Sequence, residues 1–139
     1  MNKLLIDTNV VLDLLAMRLP HYYGAAQIFS LADRNQLKLT VSALTFANTH
    51  YILSRLKSSR ETRDILRRFK ILVSVLSLND KIIDLALNDD HFTDFEDALQ
   101  YYTAIDNKQD IIITRNLKDF KTSKIPVQTT DEYLASRNQ

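Results

Sequence analysis

Three acidic side chains fall within four residues in the segment Asp94-Phe95-Glu96-Asp97. Carboxylates this close repel one another, by roughly 4 kcal/mol for two unit charges about 4 Å apart at an effective dielectric near 20. A bound cation would relieve this repulsion. The segment also has a purely structural explanation, because Asp94 can cap a helix running from Ala98 to Asn107, whose first turn favours acids. The stretch by itself therefore predicts either a helix start or part of a cation site.

Other polar side chains follow two short apolar runs of the chain. Leu4-Leu5-Ile6 leads into Asp7, and Ile111-Ile112-Ile113 leads into Thr114. Such runs are typical of strands buried on both faces, and ligands of open parallel sheets bind beyond the carboxyl ends of the strands. Asp94 and Asp97 would join that edge if the loop before their helix doubles back. The side chains that the pattern places there are those of Asp7, Asn9, Thr114, Asn116 and Asp119.

Strands and helices alternate along the sequence. Apolar runs predict strands over 4–6, 37–41, 71–76, 111–113 and 127–128, and helical spacing predicts the segments between them. This order predicts an α/β fold, an open parallel sheet of four to five short strands sandwiched by helices in a Rossmann-like, three-layer arrangement. The expected helices begin at Tyr22, Ala43, Arg60, Asn79 and Ala98, with a capping box at Thr129–Glu132 for a last one.

Two polar residues on the predicted helices need explanation. The helix from Ala43 to about Leu56 is predicted to bury a stripe of Leu44, Ala47, Tyr51 and Ile52, and Asn48 falls on the same stripe, where its amide needs a partner. Asp13 lies four residues after Asn9 on the first helix. We expect it to face solvent or to pair with a basic side chain.

The composition bounds the class of protein. A chain of 139 residues, 45% hydrophobic and 25% charged, predicts one globular domain, residues 1–139. The absence of cysteine excludes disulfides and zinc–thiolate sites. The only glycine, Gly24, falls in a predicted helix, which argues against a glycine-rich phosphate loop. No apolar run approaches the length of a membrane span, so we expect a soluble, cytoplasmic protein without membrane association.

The net charge of +1 says nothing about a nucleic-acid partner, but the charge is unevenly distributed. Residues 55–70 contain seven basic and two acidic side chains. This stretch is either the solvated face of a helical hairpin or a surface that binds phosphates. Two more basic side chains, Arg115 and Lys118, flank the acids predicted at the edge of the sheet and could steer a phosphate. The predicted nucleic-acid-binding residues are Arg60, Arg63, Arg67, Arg115 and Lys118.

Four segments, taken together, resemble those of PIN-domain proteins, specifically the short, single-domain bacterial kind related to the VapC-like ribonuclease toxins. Each is a weak signal alone, but their order and their spread from residue 6 to residue 120 make the resemblance specific. The segments are Ile6-Asp7-Thr8-Asn9-Val10, Ser42-Ala43-Leu44-Thr45-Phe46-Ala47-Asn48, Asp94-Phe95-Glu96-Asp97-Ala98-Leu99-Gln100, and Ile113-Thr114-Arg115-Asn116-Leu117-Lys118-Asp119-Phe120.

The resemblance implies an endoribonuclease that depends on Mg²⁺ or Mn²⁺. It implies that the metal is held by Asp7, Asp97 and Asp119, with Asp94 sharing the ion directly or through water. These four are also the implied catalytic residues. Oxygen-bearing side chains around them would orient the ligands or bound water, namely Asn9, Asn48, Thr114 and Asn116. The implied partners are an RNA substrate, a second copy of the chain in a homodimer and a small antitoxin protein.

The sequence departs from the family pattern at two positions. Asn48 stands where many PIN nucleases have a glutamate, and Asn116 replaces an acid that often follows the Thr-Arg pair. An amide keeps an oxygen ligand but removes a charge. Four carboxylates can still hold one hard divalent ion. We therefore expect one ion and reduced activity or metal affinity.

Two other functions compete with the nuclease. A phosphorylation-receiver domain has a similar sheet, but it needs an aspartate after the third strand, where this chain has Ser77. A stronger rival is a catalytically weakened PIN fold that binds RNA or protein through the basic stretch, and Asn48 supports it. Metal-dependent RNA cleavage distinguishes these functions.

Overall fold

Five short strands form one parallel sheet in the computed structural model, which describes residues 1–138. The predicted α/β architecture is confirmed. The strand order is β3-β2-β1-β4-β5, so β1 lies in the centre and the chain crosses over between non-consecutive neighbours. The strands are β1 (Lys3–Ile6), β2 (Lys38–Ser42), β3 (Ser74–Leu76), β4 (Ile111–Ile113) and β5 (Val127–Gln128).

Seven helices cover the sheet, and most begin at a side chain that satisfies otherwise unpaired backbone N–H groups. Ser58, Asn79 and Thr129 each accept such a hydrogen bond, and Thr129 and Glu132 form the predicted capping box. The helices are α1 (Thr8–Leu15), α2 (Tyr22–Asp33), α3 (Ala43–Leu53), α4 (Ser59–Leu72), α5 (Asp80–Leu87), α6 (Phe95–Asp106) and α7 (Thr130–Arg137), with a short 3₁₀ helix at Leu117–Phe120.

The alternation of side chains along the strands separates two hydrophobic cores. Leu4 and Ile6 point to one face of the sheet, whereas Leu5 points to the other, and all three are fully buried. The first face packs against residues of α1, α2 and α4, and the second against residues of α5 and α6. Burial on both faces explains why the central strands are continuous apolar runs.

The register of the two central strands positions the functional edge. Ile6 pairs with Ile113, and the backbone N–H of Asp7 donates to the Ile113 carbonyl at 2.9 Å. The first polar residues after β1 and β4 therefore stand side by side, as expected from the sequence.

The segment that joins α4 to β3 differs from the prediction. We expected a helix from Arg60 to Phe69 and a strand from Ile71, but the helix continues to Leu72 and the strand begins at Ser74. Leu72 packs against the core that also receives Phe69, while Ile71 is 83% exposed. The helical spacing of buried residues in α4 therefore continues to Leu72. A run of apolar residues alone does not locate the start of this edge strand.

None of the helices within residues 1–138 has the length and apolar character needed to cross a lipid bilayer.

Candidate active site

Asp7 lies at the centre of the candidate site, at the carboxyl end of β1. It is the N-cap of α1, and its Oδ1 accepts a hydrogen bond from the Thr8 N–H at 2.8 Å. The other carboxylate oxygen accepts a hydrogen bond from the Thr114 hydroxyl, also at 2.8 Å. Only 5% of the residue is exposed. Its carboxylate is thus held in one orientation, and each oxygen keeps a lone pair for another partner.

Asp94 and Asp97 lie at the start of α6. Asp94 caps the helix, with its Oδ1 accepting from the N–H of Glu96 at 2.7 Å and of Asp97 at 3.3 Å. Asp97 stands in the first turn and is partly buried. The capping role expected for Asp94 is therefore confirmed, and it also fixes where α6 begins relative to the sheet.

The structure brings the predicted acids into one electrostatic environment. The pKa of Asp97 is raised to about 7, chiefly by burial and then, in decreasing order, by the carboxylates of Asp7, Asp94, Asp119 and Glu96. Burial is also the main cause that raises the pKa of Asp7, to which the charges of Asp119 and Asp94 add. We call the set of Asp7, Asp94, Asp97 and Asp119 the acid cluster.

No ion pair within residues 1–138 neutralises the acid cluster. Among residues 1–138, every ion pair that an aspartate forms involves Asp13, Asp64, Asp89 or Asp106, and none of these belongs to the cluster. Unpaired carboxylates that repel one another are costly for the folded state. The cluster consequently has the charge and the oxygen donors that a hard divalent cation prefers.

The fit to a metal ion is one of charge and donor type. As they stand, no three acidic or histidine side chains of residues 1–138 form a ready-made metal-binding group. Asp94 and Asp119 are exposed, so a cation can reach their carboxylates from solvent. The residues therefore fit Mg²⁺ or Mn²⁺, and Asp7 and Asp97 supply the inner, more buried pair.

The predicted orienting residues after β1 and β4 form a hydrogen-bonded network with Asp7. Asn9 donates from Nδ2 to the Thr114 hydroxyl oxygen at 3.3 Å, and its Oδ1 accepts from the Arg115 N–H at 3.3 Å. Asn116 is exposed, and its backbone N–H donates to the Thr114 hydroxyl oxygen at 3.1 Å. Asn9 and Thr114 thus position Asp7, whereas the Asn116 side chain makes no hydrogen bond within residues 1–138.

Asp13 does not face solvent, which corrects one of the two expectations for it. Only 2% of it is exposed, and it pairs with two guanidinium groups: Arg18 Nε lies 3.0 Å from Oδ1 and Arg115 Nε lies 2.8 Å from Oδ2. The expected pairing with a basic side chain is the correct alternative. Arg115 is therefore engaged by Asp13, a contact that sequence spacing could not have shown.

Helix α3 presents a different face to the interior from the one predicted. Tyr51 and Ile52 are 61% and 37% exposed, while Thr45, Thr49 and Leu53 are fully buried. Asn48 is half-buried at the margin of this face, and its Nδ2 donates to the Glu96 carboxylate at 3.5 Å. The predicted buried stripe was wrong, because it was inferred from apolar residues and threonines occupy two of the three buried positions.

Thr45 of α3 belongs to a buried network of polar side chains that was not predicted from the sequence. Gln100 donates from Nε2 to the Thr45 hydroxyl oxygen at 3.0 Å, and the hydroxyls of Thr8 and Thr45 share a hydrogen bond at 3.1 Å. Thr8 adjoins Asp7, so this group connects α1, α3 and α6 directly beneath the acid cluster. The presence of Gln100 one turn after Asp97 on α6 was the available signal.

The predicted nucleic-acid-binding residues fall on two separate parts of the molecule. Arg60, Arg63 and Arg67 are exposed along α4, and Arg67 forms an ion pair with Asp64. Lys118 is exposed on the 3₁₀ helix, next to Asp119 of the acid cluster. The sheet separates these regions, since α4 leads into the edge strand β3 and the 3₁₀ helix lies between β4 and β5.

The larger surface cavities lie away from the acid cluster. One of about 380 Å³ opens at the amino ends of β2 and β3, between Lys38 and Ser74, at the edge opposite the acids. It has no group of acids or histidines. The candidate site is therefore identified by its charges rather than by its concavity.

Comparison with known proteins gives three consistent results. The sequence profile of the family described as PIN domain matches residues 3–118. The chain is 28% identical to Ribonuclease VapC1 of Aquifex aeolicus (strain VF5) over 143 residues, which covers 98% of this chain and 96% of that protein.

Solved structures share the fold. The VapBC2 complex of Rickettsia felis, bound to a promoter DNA fragment, superposes with a TM-score of 0.71 at 17% identity, covering 91% of this chain and 98% of that chain. The DNA-bound VapBC complex of Salmonella typhimurium gives a TM-score of 0.73 at 14% identity, covering 94% and 99%.

Proposed function

Because the chain belongs to the PIN-domain family and is of the VapC-like type, we propose that it is a metal-dependent endoribonuclease, the toxin of a toxin–antitoxin pair. The one observation that carries this proposal is the acid cluster. Carboxylates that follow β1, that open α6 and that lie on the 3₁₀ helix are far apart in sequence, and together with burial they raise the pKa of Asp7 and of Asp97. No ion pair within residues 1–138 joins one of them to a basic side chain. A protein gains from such an arrangement when a cation binds there.

The acid cluster would hold one Mg²⁺ or Mn²⁺ through Asp7, Asp97, Asp119 and Asp94. When bound, the ion supplies positive charge that activates water and offsets the charge of the phosphate oxygens. The protein's own residues set up that chemistry. Thr114 and Asn9 hold Asp7 in place, and the pKa of Asp97 near 7 means that its carboxyl group holds or releases a proton close to neutral pH.

Asn48 and Asn116 would act as neutral oxygen donors beside this charge. Asn48 already donates to Glu96, so the amide at this position brings a fifth carboxylate to the margin of the cluster. Glu96 is a residue that the sequence interpretation did not include among the ligands. Its presence offers a partial replacement for the charge lost at position 48, and activity should be reduced rather than absent.

We propose that RNA contacts the exposed guanidinium groups of Arg60, Arg63 and Arg67 and the ammonium group of Lys118. Backbone phosphates bind to such flexible cations without regard to sequence. Arg115 has a weaker claim, because Asp13 already binds its guanidinium group with two hydrogen bonds of 2.8 and 3.1 Å.

The wider biology belongs to the same proposal. Residues 1–139 would act as one domain in the cytoplasm, as a homodimer that a small antitoxin holds inactive. The similar structures support the antitoxin part of this proposal, since both structures compared above are VapBC complexes.

RNA cleavage tests the proposal directly. Purified protein with Mn²⁺ or Mg²⁺ should cut RNA, and EDTA should stop the reaction. Asp7→Asn and Asp97→Asn should each lower the rate more than about 100-fold, the upper end of losses caused by changes that only touch metal ligands. Asp33→Asn, at the exposed end of α2, is the control and should cleave at the wild-type rate.

The opposite result identifies the rival function. If the protein binds RNA but neither ion supports cleavage, the chain is a binding module and the nuclease proposal is wrong.

A further inference from the structure

Asp13 is the most buried charged group outside the acid cluster. Its side chain is 2% exposed, yet the side chains of the two arginines that it binds, Arg18 and Arg115, are 40% and 34% exposed. Arg18 contributes a single contact of 3.0 Å, whereas Arg115 contributes two, from Nε at 2.8 Å and from Nη2 at 3.1 Å. Paired hydrogen bonds of this kind fix the plane of a guanidinium group as well as its position.

A short series of bonded and hydrogen-bonded residues connects the Asp13–Arg115 pair to the acid cluster. Arg115 directly follows Thr114, whose hydroxyl donates to Asp7, and the Arg115 N–H donates to the side chain of Asn9. Arg115 is thus attached to the edge of the sheet that carries the acids, and within residues 1–138 its guanidinium group is hydrogen-bonded to the Asp13 carboxylate. Arg18 follows the end of α1 and donates to the Asn9 carbonyl at 2.9 Å.

A released Arg115 would have a strong electrostatic reason to enter the acid cluster. A guanidinium group remains charged at all accessible pH values and binds carboxylates with high geometric preference. The acid cluster contains unpaired carboxylates that repel one another. An internal cation there would compete with a divalent ion for the same oxygens.

We propose that Asp13 is a positioning residue that holds the Arg115 guanidinium group out of the acid cluster and thereby keeps the cluster available to a divalent cation. This inference rests on the proposed function, because it requires that the cluster binds metal. Asp13 itself touches neither metal nor substrate, and it acts through Arg115.

The test measures Mn²⁺ binding by isothermal titration calorimetry on the full chain, so that no turnover is needed. Asp13→Asn should weaken Mn²⁺ binding by about tenfold or more, the scale of effects from residues around metal ligands. Adding Arg115→Gln to Asp13→Asn should restore the affinity to within about threefold of the wild type, because the competing cation is then gone.

The matched control removes the other guanidinium group. Asp13→Asn combined with Arg18→Gln has the same net charge as the first double variant but leaves Arg115 free, and its Mn²⁺ affinity should stay as low as that of Asp13→Asn. Melting temperatures in EDTA report separately on the lost ion pairs. A purely structural role for Asp13 predicts that the two double variants behave alike, which would overturn the inference.

One further variant covers the case in which Asp13→Asn does not fold. Arg115→Gln alone leaves Asp13 paired with Arg18, and it should bind Mn²⁺ as tightly as the wild type. Weaker binding by Arg115→Gln would show that Arg115 supports the acids, and the inference would be wrong.

Failure of the inference and failure of the proposed function look different. If the wild type does not bind Mn²⁺, both fall together. If the wild type binds Mn²⁺ and Asp13→Asn binds it equally well, only the role of Asp13 is refuted.

Discussion

At the scale of single residues, the acid cluster makes the stability of the metal-free protein depend on pH. The pKa of Asp97 is about 7 in the folded chain and 3.8 when unperturbed. The raised value means that the folded state binds a proton more tightly than the unfolded chain does. The corresponding stability is fully present below about pH 4 and is lost as the pH rises through about 7. Asp7, whose pKa is raised chiefly by burial, acts in the same direction.

We therefore predict that the melting temperature in EDTA falls between pH 5 and pH 8. Asp97→Asn should flatten this decrease and melt higher than the wild type at pH 8, by on the order of 5 °C, because the costly ionisation is gone. Thermal unfolding followed by circular dichroism measures it. Asp33→Asn, an exposed acid elsewhere, should behave like the wild type. A variant that melts lower than the wild type at pH 8 would contradict the repulsion.

Metal should act on the same residue in the opposite sense. An ion that binds only the folded state stabilises it by mass action. Mn²⁺ should therefore raise the melting temperature of the wild type at pH 8 and have no effect on Asp97→Asn. An equal rise in both proteins would place the ion somewhere other than the acid cluster.

At the scale of elements, helix α3 has buried polar contacts as well as apolar ones. The buried hydroxyls of Thr45 and Thr49 lie one turn apart on the same helix face. Thr45 is bonded to Gln100 and Thr8, whereas the Thr49 hydroxyl has no hydrogen-bond partner among the described residues. The two positions therefore carry the same buried side chain, which is hydrogen-bonded at Thr45 and has no hydrogen-bond partner among the described residues at Thr49.

Replacing each threonine by valine should show how much the hydrogen bonds of Thr45 contribute to stability. Thr45→Val should lower the free energy of unfolding by about 1–3 kcal/mol, because it leaves a buried amide of Gln100 poorly satisfied. Thr49→Val should change it by less than about 0.5 kcal/mol or increase it, because no bond is lost. Urea unfolding measures both. Equal losses would show that packing, not hydrogen bonding, holds α3.

The contact between α2 and α7 depends on the only glycine. Gly24 is buried in α2, and a Cβ placed there would lie 2.5 Å from the Thr130 hydroxyl oxygen and 3.2 Å from its Cβ. Alanine normally stabilises a helix by about 0.5–1 kcal/mol relative to glycine. Here the close approach of α7 should reverse the sign.

We predict that Gly24→Ala lowers the free energy of unfolding by about 1–3 kcal/mol, the usual cost of overpacking. Gln27→Ala, an exposed position of the same helix, should be close to neutral. Denaturant unfolding again provides the measurement. A more stable Gly24→Ala protein would mean that α7 moves away at little cost.

At the scale of the whole molecule, a nearly neutral chain has a group of acids and a group of arginines on different parts of the fold. The acids gather at the carboxyl ends of β1 and β4, while exposed arginines line α4 beside the edge strand β3. Net charge conceals this separation. A partner with a phosphate backbone would sense each region separately.

The salt dependence of RNA binding tests the role of α4. In EDTA, the triple variant Arg60→Gln, Arg63→Gln and Arg67→Gln should reduce the slope of log affinity against log salt by about 2, at about 0.7 for each phosphate contact on a single strand. The control replaces Lys3, Lys38 and Lys108 by glutamine, since these side chains lie near the amino ends of the strands. An unchanged slope in the arginine variant would mean that α4 is merely a solvated face.

The sequence alone was sufficient for the architecture and for the neighbourhood of the acids. Short apolar runs between helices specify a parallel sheet, and in such a sheet the residues that follow neighbouring strands meet at one edge. That rule placed Asp7 beside Thr114 without any knowledge of distances. The capping residues Asp94, Asn79 and Thr129 were equally readable, because a cap is a local interaction between a side chain and the next few N–H groups.

Only the tertiary structure decided which polar side chains are buried and what they bind. Thr45 is buried because Gln100, 55 residues away, satisfies its hydroxyl, and Asp13 is buried because Arg115, 102 residues away, neutralises it. Burying a polar group is costly unless a partner is present, and the partner comes from a distant segment that no local pattern reveals. The sequence therefore determined where the acids gather, and the folded chain determined which partners the buried polar side chains have.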